Sequence, residues 1–212
     1  MIPLFKVYTN KDTNIQQVLE SGYIGQGQKV EQFEAKLKEQ FGTDNLLYVN
    51  SCTSAIHLAL EDIKRKENLT SDTEVLSTCL SCFATVSPIS ELNMKIKWVD
   101  IDKNNCNIDL IDLENKLTAN TRIVMLVHWG GHPVDLNALE AIKNRYMSKF
   151  GQPLYVVEDS AHCWDSYTSD DKLIGTSGNY CCFSFQAIKF LTTVDGGMLI
   201  TPDSLSYKRC KL

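Results

Sequence analysis

Lys189 and Asp159 are the two residues whose types and placement promise chemistry. The apolar run LYVV leads directly into Glu158-Asp159-Ser160-Ala161-His162. A later run, YCCFSF, leads into Gln186-Ala187-Ile188-Lys189, with Thr192, Thr193, Asp195, Gly196 and Gly197 just beyond. In a parallel sheet the carboxyl ends of strands open onto the crevice where ligands bind. A carboxylate buried there calls for a cationic partner. A lysine there loses its proton more easily through desolvation and nearby cations, and so becomes nucleophilic. One cofactor uses both groups. Pyridoxal 5'-phosphate binds covalently to a lysine amine, and its pyridinium nitrogen needs a carboxylate to stay protonated. Its phosphate needs hydroxyls, backbone N–H groups and a helix start. Asn50-Ser51-Cys52-Thr53-Ser54-Ala55 supplies these after the run LLYV, and Ser184 adds a hydroxyl near the lysine.

Each residue also has an ordinary reading on its own: a helix cap for Asp159, a solvated lysine for Lys189, an N-cap for Thr53-Ser54, a loop histidine for His162. What favours chemistry is that all of them fall at strand ends of one sheet. The runs that must build this sheet are 46–49, 74–78, 96–101, 122–128, 154–159, 180–185 and 197–201. They lack strict polar alternation, which implies burial on both faces and a mostly parallel sheet covered by helices. Helical spacing links Ala55, Leu58, Ala59 and Ile63, and again Leu136, Leu139, Ile142 and Tyr146. The expected architecture is α/β and doubly wound. The last two runs are joined by a loop, so an antiparallel strand is expected there.

Residues 1–45 read differently, as two helical stretches (14–20 and 30–41) around the loop GYIGQGQKV. That loop lacks the third glycine and the preceding strand of a dinucleotide-binding turn, and reads as a flexible or substrate-facing segment. The expected organisation is an amino-terminal segment over 1–45 and a cofactor-binding domain over 46–212. At the other end SYKRCKL reads as a helix that begins and stops.

The chain has 212 residues, 21 Lys+Arg and 26 Asp+Glu, giving a net charge of −5. An acidic chain without a basic cluster argues against nucleic acid or an anionic membrane as partner. No apolar run approaches the ~20 residues that span a bilayer. Residues 1–6 lack a basic segment followed by an apolar stretch, so a cytoplasmic protein is expected. Eight cysteines in such a chain read mainly as buried thiols. Cys79 and Cys82 form one C-x-x-C with no second pair, too little for a zinc site, with a redox dithiol the weaker option.

Taken together, GYIGQGQKVEQFE, VNSCTSAIHLAL, VHWGGHPVDL, VVEDSAHCWDS and FSFQAIKFLTTVDGGMLIT resemble the DegT/DnrJ/StrS aminotransferases, which act mostly on nucleotide-linked keto-sugars. The resemblance implies the aspartate-aminotransferase-like fold (fold type I), a three-layer large domain with a seven-stranded, mainly parallel sheet. It implies that Lys189 is the covalent lysine and proton shuttle and that Asp159 faces the pyridinium nitrogen. His162 would contact the phenolic oxygen, Ala161 would pack on the ring, and Thr53, Ser54 and Ser184 would hold the phosphate. The implied reaction is a ping-pong transfer of an amino group, commonly from glutamate, to a sugar ketone, in a homodimer with the active site at its interface.

This sequence departs from the family pattern in three places. Within Ser81-Cys82-Phe83-Ala84-Thr85, Cys82 stands where members often stack an aromatic ring, with Phe83 as a substitute. Cys52 replaces the usual glycine before Thr53. Family members continue into a smaller carboxyl-terminal domain that completes the sugar site, and without it weak cofactor binding or slow turnover is expected. Two other readings accompany transamination: a cofactor-binding remnant without activity, and a sugar dehydratase. Relatives that dehydrate replace the lysine with histidine, whereas Lys189 is intact.

Overall fold

The structure is a computed structural model that describes residue 7 and residues 14–211. The amino-terminal stretch 1–6 read for a leader lies outside the described residues. All seven apolar runs form strands: β1 (Leu46–Val49), β2 (Glu74–Thr78), β3 (Lys95–Val99), β4 (Thr121–Val127), β5 (Tyr155–Asp159), β6 (Tyr180–Ser184) and β7 (Gly197–Ile200). They make one sheet in the order β1-β7-β6-β5-β4-β2-β3. The pairs β2/β3, β2/β4, β4/β5 and β5/β6 are parallel. β7 is antiparallel to both β6 and β1, as the missing crossover helix requires.

Helices cover both faces. Along β4, Ile123 and Met125 point to one side and Val124 and Leu126 to the other, all four with no exposed surface. Ile123 and Met125 pack under α3 (Cys52–Glu67) and α4 (Phe83–Glu91), against Ala59, Leu60, Ile63 and Ile89. Val124 and Leu126 pack under α5 (Leu110–Lys116) and α6 (Leu136–Phe150), against Leu113, Leu139, Ile142 and Tyr146. α4 has weak helical signals because Thr, Val, Ser and Pro88 dominate it. Burial of Val86 and Ile89 holds it in place.

The first two helices are α1 (Ile15–Ser21) and α2 (Gln28–Phe41). α1 buries no residue, and Gly22 closes it at φ 74°. α2 places Leu37 and Phe41 in a third apolar cluster with Phe183, Phe185, Met198 and Ile200. The terminal segment forms α7 (Ser204–Lys211). Asp62 on α3, 4% exposed, anchors it by accepting hydrogen bonds from Arg209 and from Tyr180 Oη (2.6 Å). Among the described residues no helix is long and apolar enough to cross a membrane.

Candidate active site

β5 ends on Asp159, 6% exposed, with its neighbour Glu158 fully buried on the opposite face. Three donors from three elements hold the Asp159 carboxylate. The Thr85 hydroxyl on α4 donates to Oδ2 at 2.6 Å, the Ala161 N–H donates to Oδ1 at 3.0 Å, and the Cys52 thiol lies 3.9 Å from Oδ1. Among the described residues Asp159 forms no ion pair. Burial and the adjacent carboxylate push the Cys52 thiol well above its ordinary pKa, while the Lys189 ammonium opposes them.

Lys189 follows β6 in a turn closed by its own N–H donating to Gln186 O at 2.8 Å. It is half-buried and lines a cleft of about 350 Å³ with Ser160, Ala161, His162, Ser184 and Ile188. His162 feels both charges. Burial first, and then the Lys189 ammonium, lower the imidazole pKa, and Asp159 partly offsets them. Its Nδ1 accepts the Gly130 N–H at 3.3 Å, and its ring meets Trp129 edge-on at 6.0 Å. The turn at Trp129–Gly131 approaches closely because Gly131 lies at φ 84°, where a Cβ would stand 2.8 Å from the His162 carbonyl oxygen.

The phosphate-type segment caps α3. Ser51 Oγ accepts the Ser54 N–H at 3.1 Å and lies 3.0 Å from Ser54 Oγ. Thr53 and Ser54 do not line the lysine cleft; Ser54 borders a neighbouring depression with Tyr48, Asn50 and His57. Gly197 connects the two. In the sheet it stands between Val49 of β1 and Ser184 of β6, and a Cβ on it would lie 2.4–2.6 Å from Ser51 and Cys52 backbone atoms. The bare backbone there lets the start of α3 settle over β7, one strand from Ser184.

The structure thus gathers Ala161, His162, Ser184 and Lys189 around one cleft, with Asp159 beneath Ala161, whose N–H it accepts, and close enough to act on His162. Cys82 is exposed at the N-cap of α4 and interacts electrostatically with Cys52, while Phe83 is 79% exposed. Gly197 belongs to the glycine pair noted beyond Lys189, whereas Thr85, His128 and Gly131 carry roles that the sequence did not assign; their signals were the SCFAT stretch and HWGGH. The donor set suits pyridoxal phosphate. A held carboxylate, a half-buried lysine, hydroxyls and a helix start meet at a place that glycine keeps open.

A family model described as the DegT/DnrJ/EryC1/StrS aminotransferase family matches residues 7–212. The spore coat polysaccharide biosynthesis protein SpsC of Bacillus subtilis (strain 168) is 36% identical over 190 residues, 89% of this chain and 46% of SpsC. Sugar aminotransferase CalS13 from Micromonospora echinospora matches with a TM-score of 0.93 and 39% identity, over 100% of this chain and 57% of that one. A GDP-4-keto-6-deoxymannose-3-dehydratase, solved with a trapped PLP-glutamate geminal diamine, matches with a TM-score of 0.86 and 26% identity, over 99% and 53%. The chain spans about half the length of the curated relatives it matches.

Proposed function

Since the chain belongs to the DegT/DnrJ/EryC1/StrS aminotransferase family, whose cofactor is pyridoxal 5'-phosphate, we propose that it transfers an amino group from an amino-acid donor, glutamate, to a nucleotide-linked keto-sugar. The observation that carries this reading is that a half-buried lysine lining the cleft and a buried, hydrogen-bonded carboxylate at the end of the adjacent strand both act on His162. Bound there, the cofactor would supply a reactive aldehyde and an electron-poor ring that stabilises negative charge on the donor carbon.

The residues divide the remaining work. Asp159 would present negative charge to the ring nitrogen and favour its protonated form. Lys189 Nζ would hold the cofactor through its aldehyde and would serve as the base that accepts the donor α-proton and the acid that supplies a proton to the sugar carbon. His162 Nε2 would donate to the phenolic oxygen, and Ala161 would offer a small surface to the ring. Thr53, Ser54 and Ser184, with the amides at the α3 start, hold the phosphate. Cys82 would border the ring face.

We further propose a homodimer closing over this edge. Exposed apolar side chains support it: Phe190, which lines the cleft, at 90%, with Phe83 at 79% and Val194 at 74%. The domain that relatives carry beyond residue 212 would complete the sugar pocket. A dehydratase reading draws on the likeness to the GDP-4-keto-6-deoxymannose-3-dehydratase structure, but Lys189 favours transamination.

Mixing the purified protein with pyridoxal phosphate tests the proposal. A visible absorption band is expected, lost in Lys189→Ala, bleached by glutamate with release of 2-oxoglutarate and restored by a keto-sugar nucleotide. A wild-type protein that forms no band overturns it.

A further inference from the structure

We infer that Thr85, with Cys52 as second side-chain donor, is a positioning residue that fixes Asp159 as an anion aimed at the cofactor's ring nitrogen; this rests on the cofactor reading above. Asp159 is 6% exposed, Thr85 is fully buried, and among the described residues no cation pairs with Asp159. A buried carboxylate without a counter-charge is costly unless donors saturate it. Here those donors are neutral: a hydroxyl on Oδ2, and a backbone amide and a thiol on Oδ1. Neutral donors hold the anion without cancelling its charge, so its field stays available to a cation arriving in the crevice.

The two side chains hold different degrees of freedom. Ala161 belongs to the same turn as Asp159 and moves with it, whereas Thr85 and Cys52 reach in from α4 and α3. Thr85 therefore sets the rotation of the carboxylate relative to α3 and α4. A short O–H···O⁻ contact of 2.6 Å is in the charge-assisted range. Cys52 contributes less, since a thiol is a weak donor. Burial and Asp159 keep it protonated and so able to donate.

The test loads the protein with pyridoxal phosphate labelled with ¹⁵N in the ring. It reads the ring-nitrogen resonance and the dissociation constant in wild type, Thr85→Val, Thr85→Ser, Cys52→Ala and Lys189→Ala. Thr85→Val is expected to move the resonance from its protonated toward its neutral position and to weaken binding about tenfold. Thr85→Ser should restore both, and Cys52→Ala should move the resonance the same way by less. A purely packing role for Thr85 would leave the resonance in place. If Thr85→Val does not fold, Thr85→Cys replaces it, keeping a small side chain with a poor donor. Wild-type binding lost in Lys189→Ala, with an unshifted resonance in Thr85→Val or Thr85→Cys, overturns this inference alone. An unshifted Cys52→Ala removes Cys52 from it. No cofactor binding by wild type overturns the proposed function and this inference together.

Discussion

His128 Nε2 and Glu158 Oε2 lie 3.1 Å apart with both side chains fully buried, directly behind Asp159 on the other face of β5. The proton between them is assigned by the rest of the ring. Val134 N–H donates to His128 Nδ1 at 3.0 Å, so Nδ1 carries a lone pair and Nε2 carries the hydrogen given to Glu158. Asn179 Nδ2 donates to the other carboxylate oxygen at 2.7 Å, and the Ser177 hydroxyl also donates there. Burial raises the Glu158 pKa, but the bonds from His128, Ser177 and Asn179 outweigh it and hold it below the ordinary 4.5.

The consequence is an acid-sensitive fold. A carboxyl depressed on folding contributes stability that is present above its unfolded value and lost as pH falls through its folded value. Urea midpoints should therefore stay level near neutrality and fall below about pH 4.5. His128→Ala leaves Glu158 short of a donor and opens a cavity, with an expected cost of about 3 kcal/mol at pH 7. A loss under 1 kcal/mol in equilibrium unfolding would contradict the assignment.

His162 is held in the same tautomer from the opposite direction. The Gly130 N–H on Nδ1 leaves Nε2 as the protonated nitrogen, so the ring meets the cleft as a hydrogen-bond donor. Long-range ¹H–¹⁵N correlation spectra should show an unprotonated Nδ1. The titration midpoint should lie below the ordinary 6.5, because burial and Lys189 disfavour the cation. Lys189→Ala removes the second of these, and the midpoint should rise. A midpoint indifferent to Lys189 would mean that the two groups are not electrostatically coupled.

Gly197 tests how the phosphate segment is seated. A methyl group there meets Ser51 and Cys52 backbone atoms at 2.4–2.6 Å, and backbone cannot rotate out of the way. Gly197→Ala should cost about 2–4 kcal/mol. Because the displaced element is the start of α3, affinity for pyridoxal phosphate should fall further than global stability explains. Titrating the variant at a temperature where circular dichroism shows it folded separates the two effects. Unchanged affinity in a folded variant would detach the α3 start from the phosphate.

Much of this was legible because burial writes itself into sequence. Strands covered on both faces must be apolar at successive positions, as in Ile123-Val124-Met125-Leu126, and Asp159 and Lys189 stand out as the polar residues that follow such runs. The hydroxyl-rich segment 50–55 and the apolar spacing after it announced α3, although the cap is Ser51 and not Thr53-Ser54, which lie inside the first turn. What stayed hidden depends on contacts distant in the chain. Thr85 reaches a carboxylate 74 residues away, and nothing beside it marks it as a donor. Asp62 reads locally as one of a charged pair on a helix, and only the return of α7 with Arg209, 147 residues on, makes it a buried anchor. Gly197 matters because of what lies above it, which strand periodicity does not encode.

The cysteines divide by environment, and alkylation can read the division. Thiolate, not thiol, is the reactive form, so burial protects twice, by blocking access and by raising the pKa. Burial pushes Cys163 up to about 12, and Cys181 and Cys182 are likewise raised and buried. Cys79 and Cys82 are exposed. Treatment of the native protein with iodoacetamide at pH 8, followed by peptide mass mapping, should label Cys79 and Cys82. Cys163, Cys181 and Cys182 should stay unmodified until urea unfolds the chain. Pyridoxal phosphate then adds a second reading. If Cys82 borders the ring, loading should slow its alkylation several-fold relative to Cys79, its neighbour on the same turn. Equal protection of both would indicate a general closing of the loop, and protection of neither would remove Cys82 from the cofactor site.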